Sequence, residues 1–94
     1  SLLFVACGNP TVIDGKQYKT TCATPSDCAG VFFGDQCSVC ACPNAAISSA
    51  DKVLYDSDHS NARSLCGPQP AIACAECPAF TLTCTAGVCG IAAK

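Results

Sequence analysis

The sequence contains few charged residues and no long apolar run. It has five Lys and Arg against seven Asp and Glu in 94 residues, which gives a formal net charge of −2. Surfaces that bind nucleic acid carry clustered Lys and Arg, and here these residues are scattered, so a nucleic-acid partner is not expected. No stretch approaches the roughly 20 apolar residues that span a bilayer, so no transmembrane segment is predicted.

The sequence also lacks the motifs of common enzymes. The single histidine, His59, lies between Asp58 and Ser60. Neighbours on one segment do not supply the geometry of a hydrolytic triad, and no nucleophile-elbow motif occurs. We therefore predict that the protein is not an enzyme and uses no cofactor. Adjacent cysteines are absent too, which disfavours a surfactant protein of the hydrophobin kind.

One segment superficially matches a calcium loop. Oxygen-bearing side chains are frequent from Asp56 to Asn61, but an EF-hand loop needs Glu at its twelfth position. Counted from Asp56, that position is Gly67. The segment is interpreted as solvated helix surface or loop.

Cysteine, by contrast, is abundant, with eleven in the chain. This density indicates a disulfide scaffold in an oxidising compartment, because the cytosol keeps thiols reduced. A chain this short has a limited core, so bridges of ~2–4 kcal/mol each would rival the ~5–15 kcal/mol net stability of an ordinary domain. The sequence predicts one domain over residues 1–94, a secreted or cell-surface location and about five disulfides. The candidate disulfide cysteines are Cys7, Cys22, Cys28, Cys37, Cys40, Cys42, Cys66, Cys74, Cys77, Cys84 and Cys89.

Because eleven is odd, one cysteine remains when ten pair. The sequence leaves about ten thousand pairings open, and the remaining cysteine is free, bridged to another chain or lipid-modified. Cys7, beside the apolar terminus, and Cys40, crowded between its neighbours, are the candidates. The stretch from Leu3 to Cys7 also resembles the end of a bacterial lipoprotein signal, although we interpret residues 1–6 as part of the mature chain.

Two Cys-x-x-Cys pairs, Cys37/Cys40 and Cys74/Cys77, suggest two alternatives to disulfides. Four thiolates can hold zinc, but 33 residues separate the pairs and the other cysteines compete for them. A thioredoxin-like redox pair needs a βαβ context that the sequence lacks. Disulfides are therefore favoured, and no metal site is predicted.

Turn signals predict short hairpins in a small disulfide-rich α+β fold. Asp14-Gly15 favours a hairpin that joins residues 11–13 to residues 16–21. The turn at residues 85–87 favours a second hairpin between Phe80 and Ile91.

A helix is predicted over about residues 49–65, where apolar residues recur with an imperfect helical period. Ser48 and Asp51 have the spacing of a capping pair, and Ser57-Asp58 is a candidate break. Gly67-Pro68 ends the helix.

The sequence begins with an apolar run at residues 1–6, interpreted as a strand because a Gly-Asn-Pro turn signal follows it. Burying Leu2, Leu3, Phe4 and Val5 would contribute ~1.5–3 kcal/mol each, and an uncovered strand invites pairing with another chain. Either the protein's own core or a neighbouring subunit must cover it.

The region from Cys22 to Cys89 carries a family resemblance. Its motifs are Cys22-x5-Cys28, then a Cys-Pro-Asn-Ala-Ala-Ile segment at residues 42–47 followed by a polar helix, and later Cys-x-x-Cys and Cys-x4-Cys. This arrangement resembles a class of uncharacterised cysteine-rich secreted proteins and lipoproteins of myxobacteria-like bacteria. The resemblance implies a location and a disulfide-rich fold, and it implies no activity.

Two functional classes fit these features. The first is a structural or adhesive building block that self-associates through Leu2, Leu3, Phe4 and Val5 into a homo-oligomer or filament. The second is a soluble binder, inhibitor-like or toxin-like, that presents a disulfide-braced loop, although no Arg or Lys flanked by cysteines marks a trypsin-directed loop. The candidate positions for O-linked sugar are Thr20, Thr21, Thr24 and Ser26.

Overall fold

A computed structural model of the chain describes residues 10–94, and the predicted strand at residues 1–6 lies outside them. Six short strands and one helix follow one another in this part of the chain. The strands are β1 (Val12–Ile13), β2 (Cys28–Val31), β3 (Gly34–Asp35), β4 (Ala45–Ser48), β5 (Phe80–Thr85) and β6 (Val88–Ala93), and the helix is α1 (Lys52–Arg63).

The strands form three antiparallel pairs. β1 pairs with β3, β2 with β4, and β5 with β6. Together with the helix and five disulfides they make a small disulfide-rich α+β fold, as the sequence predicts. Within residues 10–94 no helix has the length and apolar character needed to cross a membrane.

The first predicted hairpin is wrong, because β1 does not pair with residues 16–21. The turn at Asp14-Gly15 does form, because Gly15 takes a φ of 86° and its carbonyl accepts a hydrogen bond from the Tyr18 amide at 3.2 Å. The chain after the turn does not return along β1, whose partner is β3. Instead it carries Tyr18 into the core, where the side chain is only 6% exposed. Burial of this ring therefore decides the path.

The second predicted hairpin is confirmed by β5 and β6. Ala86 and Gly87 form its two-residue turn with φ values of 54° and 76°, the left-handed backbone that such tight hairpins need. The register places Cys84 opposite Cys89. The hairpin packs closely on β2, since a Cβ added to Gly30 would meet the Phe80 ring at 2.9 Å.

The predicted helix is confirmed, and its details are corrected. A short 3-10 turn at Ser49–Asp51 leads into α1, which continues through Ser57-Asp58 without a break. Ser48 and Asp51 do not cap it. The Ser48 hydroxyl donates to the Thr21 carbonyl at 2.5 Å, and the Asp51 carboxylate accepts from the Lys19 amide at 2.7 Å. Both polar side chains are used to hold the segment that crosses the start of the helix.

Two small clusters of buried side chains lie on either side of the β2–β4 pair. The first contains Ile13, Tyr18, Val31, Ile47 and Tyr55. The second is largely sulfur and small side chains: Cys28, Ala46 and Cys89, with Cys22, Leu82 and Ile91 against them. Neither cluster is large, so cross-links are needed to hold the elements together.

Five disulfides supply those cross-links. Two of them tie the C-terminal hairpin to the segment around β2, and three tie residues 37–42 to the region after the helix. The bonded pairs are Cys22–Cys84, Cys28–Cys89, Cys37–Cys66, Cys40–Cys74 and Cys42–Cys77.

Candidate interaction surface

The disulfides exclude one of the two candidates for the cysteine that is left over after pairing. Cys40 is bonded to Cys74, so the prediction that Cys40 is unpaired is wrong. Its side chain reaches across to the exposed segment after the helix and so avoids its crowded neighbours. Cys7 lies outside the described residues. The ten cysteines from Cys22 to Cys89 are all paired.

The two Cys-x-x-Cys pairs do not meet as a four-thiol group. Cys37 bonds to Cys66, whereas Cys40 bonds to Cys74 and Cys77 bonds to Cys42. The four cysteines are thus divided among three disulfides, and none of them is a thiolate in this state. Residues 40–42 and 74–77 instead lie side by side, clamped at two points.

The segment around the histidine also separates its oxygen-bearing side chains. Asp56 pairs with Lys52 at 2.5 Å along the helix, and Asp58 accepts a hydrogen bond of 2.7 Å from the Tyr18 hydroxyl. His59 Nδ1 lies 2.6 Å from the Gln36 side-chain oxygen, which makes Nδ1 the protonated nitrogen. These groups fasten α1 to the rest of the fold and do not converge on one point.

Gln36 is the central polar residue of the fold, and the sequence does not single it out. It is only 2% exposed, and its side-chain amide donates to the carbonyls of Phe32 and Gly34, each at 3.0 Å. The Tyr55 hydroxyl donates to the same Phe32 carbonyl at 2.8 Å. A buried Gln requires such partners, because an unpaired buried amide is costly. The sequence offers no local signal for this network, because Tyr55 and His59, which contact the Gln36 side-chain oxygen, lie on the distant helix.

Tyrosine ionisation gives a pH-dependent prediction. Burial, followed by the hydrogen bond to Asp58, raises the pKa of Tyr18, and burial raises the pKa of Tyr55. Below about pH 10 both tyrosines are protonated in the folded and unfolded chain alike. As the pH rises above that value the unfolded chain releases protons that the folded chain retains, so stability falls. The chain has two tyrosines and no tryptophan, so tyrosinate absorbance reports on these two residues alone.

In a rapid pH-jump titration of the folded protein, we expect the tyrosinate absorbance to rise only at pH values well above the ordinary tyrosine pKa. This rise should coincide with unfolding. The Tyr18→Phe variant serves as the matched control, with a smaller loss of stability in alkali. Ionisation of both rings near pH 10 in the folded protein would contradict the prediction.

An apolar groove lies between the C-terminal hairpin and the β2–β4 pair. Its volume is about 450 Å³. The walls come from four separate parts of the chain, and the residues that matter most below are Phe32, Pro43, Phe80, Ile91 and Ala93. Phe80 keeps 36% of its surface exposed here. The groove is thus a partly uncovered extension of the second buried cluster.

The groove is bordered by the outer edge of β6. The amide of Cys89 donates to the Thr20 carbonyl at 2.7 Å. At this residue the backbone N–H and C=O groups of β6 therefore point away from β5. Backbone groups alternate in direction along an antiparallel strand, and Ile91 and Ala93 therefore point their amides and carbonyls to the same outer side. An extended peptide in the groove can hydrogen-bond to this edge.

One wall of this groove packs against the β1–β3 pair. In β1, Ile13 is the register partner of Gly34. The Phe32 ring, which forms one groove wall, packs over Gly34, where an added Cβ would meet it at 2.9 Å. From Ile13 back to Thr11 the chain runs away from Gly34, since the Gln36 amide donates to the Thr11 carbonyl at 2.8 Å.

A second surface is formed by the segment after the helix. Residues 67–79 are exposed throughout and contain no regular secondary structure. Cys74 and Cys77 brace the segment through their disulfides, and Ile72 is 55% exposed within it. This is the disulfide-braced loop that a binder would present.

Comparisons of the chain with protein-family models, with curated proteins and with solved structures gave no match. Five disulfides in so short a chain are typical of proteins from oxidising compartments. The class of molecule defined by the fold is a small disulfide-rich α+β protein.

Proposed function

We propose that the protein is a non-enzymatic extracellular building block, and that Leu2–Val5 of one copy occupies the apolar groove of a neighbouring copy. The observation that carries the proposal is the open groove beside the outer edge of β6. Its apolar walls match four consecutive apolar side chains. Membership of the myxobacterial secreted class stays a prediction, and it agrees with the proposed location.

The energetics require more than apolar contact. Burial of four such side chains contributes roughly 6–12 kcal/mol at ~1.5–3 kcal/mol each. Association costs roughly 4–15 kcal/mol in lost freedom, which is of similar size. Strand addition at Ile91 and Ala93 supplies backbone hydrogen bonds as well, and this contribution favours a peptide that lies along β6.

Donation of Leu2–Val5 to a neighbouring copy allows two arrangements. Two copies can then exchange their segments about a two-fold axis, with the same patch used on both sides. A longer filament results if each copy instead donates to a third.

Light scattering coupled to size exclusion tests this function. The full chain is expected to be a dimer or larger, and a variant that lacks residues 1–6 is expected to be monomeric. Ala93→Glu places a charge in the groove, where even a neutral polar group without a partner costs ~1–3 kcal/mol, so association should weaken at least about 5-fold. Thr85→Glu is the matched control, since it is an exposed position of the same hairpin away from the groove.

Three results would overturn the proposal. The full chain could be monomeric at high concentration, the truncated chain could assemble as well as the full chain, or Thr85→Glu could weaken assembly as much as Ala93→Glu. A monomer in which residues 1–6 are protected from proteases would show that the protein's own segment fills its groove.

A lipid anchor at Cys7 is a second candidate, and the pairing of the other ten cysteines favours it. Cys7 is the cysteine that these five disulfides leave over, and apolar residues precede it directly. The intact mass of the protein purified from its source distinguishes the lipid anchor from the building block. A chain that begins at Cys7 and carries acyl mass supports the anchor, whereas an unmodified chain that retains residues 1–6 supports the building block.

The soluble binder is the remaining candidate, and the exposed segment 67–79 favours it. A monomer that binds a partner through this segment would replace the building-block function. Ile72→Asp, which alters an exposed side chain of the loop, should then abolish binding and leave the fold intact.

A further inference from the structure

Two of the five disulfides meet at the C-terminal hairpin. Cys84 on β5 bonds to Cys22, and Cys89 on β6 bonds to Cys28. The sulfur atoms of Cys22, Cys28 and Cys89 lie within 4.8 Å of one another. Within residues 10–94 no other three cysteines bring their sulfurs this close. Four cysteines from two disulfides therefore form one cluster, which we call the hairpin cysteine cluster.

The hairpin geometry allows a different pairing of the same four residues. Cys84 and Cys89 are direct register partners. The Cys89 amide donates to Thr20 and not to β5, which makes this a non-hydrogen-bonded pair. Cα atoms in such pairs are about 4.5 Å apart, within the range of about 4.4–6.8 Å that a disulfide spans.

The other two cysteines are also placed for a direct bond. Residues 24–27 fold back in a tight turn between them, closed by a hydrogen bond of 3.0 Å from the Asp27 amide to the Thr24 carbonyl. The Asp27 carboxylate reinforces the turn by accepting from the amides of Ala23 and Thr24. Cys22 and Cys28 thus flank a pre-formed loop with their sulfurs already close.

We propose that the hairpin cysteine cluster is a thiol–disulfide exchange site that a small thiol converts between two isomers. In the first step an external thiolate attacks Cys84 Sγ, forms a mixed disulfide and releases the Cys22 thiolate. Cys22 Sγ then attacks Cys28 Sγ, so that the Cys22–Cys28 bond forms and the Cys28–Cys89 bond breaks. The released Cys89 thiolate finally attacks Cys84 Sγ, which forms the cross-strand Cys84–Cys89 bond and regenerates the external thiol.

The sequence of steps consumes no oxidant or reductant. Two disulfides exist before and after, and the thiol is a catalyst. Accessibility agrees with the order, because Cys22 and Cys84 are half-buried whereas Cys28 and Cys89 are buried, 6% and 7% exposed. The more accessible Cys22–Cys84 bond is opened by the external thiol, and the buried Cys28–Cys89 bond is opened by the neighbouring Cys22 thiolate.

The product isomer releases the hairpin from β2. The native pairs hold β5 and β6 to the Cys22–Cys28 segment, whereas the new pairs are internal to each segment. After exchange no disulfide joins the hairpin to another segment, and the nearest remaining bonds, Cys40–Cys74 and Cys42–Cys77, attach the chain that precedes β5.

Disulfide mapping of the full chain tests the exchange. The protein is incubated anaerobically with an equimolar amount of reduced glutathione, quenched in acid and digested without reduction. A broad-specificity protease is needed, because no Lys or Arg lies between Cys84 and Cys89. Equal amounts of the Cys22–Cys28 and Cys84–Cys89 linkages are expected, with no change in intact mass and with the other three disulfides retained. The native linkages alone, or scrambling spread equally over all ten cysteines, would overturn the proposal.

A matched pair of variants isolates the internal attack. In Cys22→Ser/Cys84→Ser the Cys28–Cys89 bond loses its neighbouring nucleophile, and its opening by glutathione should slow about tenfold or more. Cys42→Ser/Cys77→Ser also lacks one disulfide but retains the cluster, so it should form the cross-strand linkage at the wild-type rate. Equal opening rates of Cys28–Cys89 in both variants would contradict the mechanism. If either variant fails to fold, the wild-type linkage map decides alone.

Discussion

Reduction of the five disulfides is expected to unfold the protein completely. Each bridge contributes ~2–4 kcal/mol, so five contribute roughly 10–20 kcal/mol against a net stability of ~5–15 kcal/mol for an ordinary domain. The main apolar cluster contains five buried side chains, too few to replace that contribution. Far-ultraviolet circular dichroism should show loss of the helix and of any cooperative thermal transition once the thiols are reduced and alkylated.

The control is the unreduced protein exposed to the same alkylating agent, which should keep its thermal transition. A reduced and fully alkylated chain that still melts cooperatively would contradict the prediction. Such a result would mean that the two buried clusters suffice to hold the strands and the helix.

Loss of the buried Cys28–Cys89 bond is expected to have the largest effect of any single disulfide. The chain-entropy relation gives about 4 kcal/mol for the 61-residue separation of Cys28 and Cys89, and only ~0.5 kcal/mol less for the 35-residue separation of Cys42 and Cys77. Loop length therefore predicts nearly equal costs. Burial predicts a larger cost for loss of the Cys28–Cys89 bond, because both cysteines lie in the second cluster. Their removal also leaves a cavity against Ala46.

Urea unfolding of two double variants separates these contributions. Cys28→Ala/Cys89→Ala should lose about 1–2 kcal/mol more than the control Cys42→Ala/Cys77→Ala, because buried contacts are lost in addition to the cross-link. Equal losses would show that the sulfur atoms act only as cross-links. A larger loss in the control would reverse the proposed importance of the two disulfides.

Features of the fold that depend on local sequence were predictable. The terminal hairpin follows from Gly87, which takes the left-handed backbone of a two-residue turn without steric cost. The helix at Lys52–Arg63 follows from apolar periodicity over a stretch without cysteine. In both cases the residues that decide the structure lie within one element.

Features that depend on distant partners were not predictable. The Asp14-Gly15 turn has a local signal, but Tyr18 can be assigned to the core only once its position beneath α1 is known. Ser48 and Asp51 have the spacing of a helix cap, yet they bond to Thr21 and Lys19. A capping motif and a tertiary hydrogen bond use the same side chains, and sequence spacing does not distinguish them.

The candidate sites show the same limit. The groove combines Phe32, Pro43, Phe80 and Ile91, which are far apart in the chain. The disulfide partners are separated by 29 to 62 residues, and spacing alone does not reveal their pairing. The segment Leu2–Val5 stands out by its composition, and its predicted role in self-association stays a prediction that light scattering tests.

The folded protein is expected to require complete oxidation of the ten cysteines from Cys22 to Cys89. The most direct measurement is the intact mass of protein that was denatured without reduction in the presence of an alkylating agent. We expect no alkyl group on these ten residues and at most one on the chain, at Cys7. A folded starting sample that takes up several alkyl groups would contradict it.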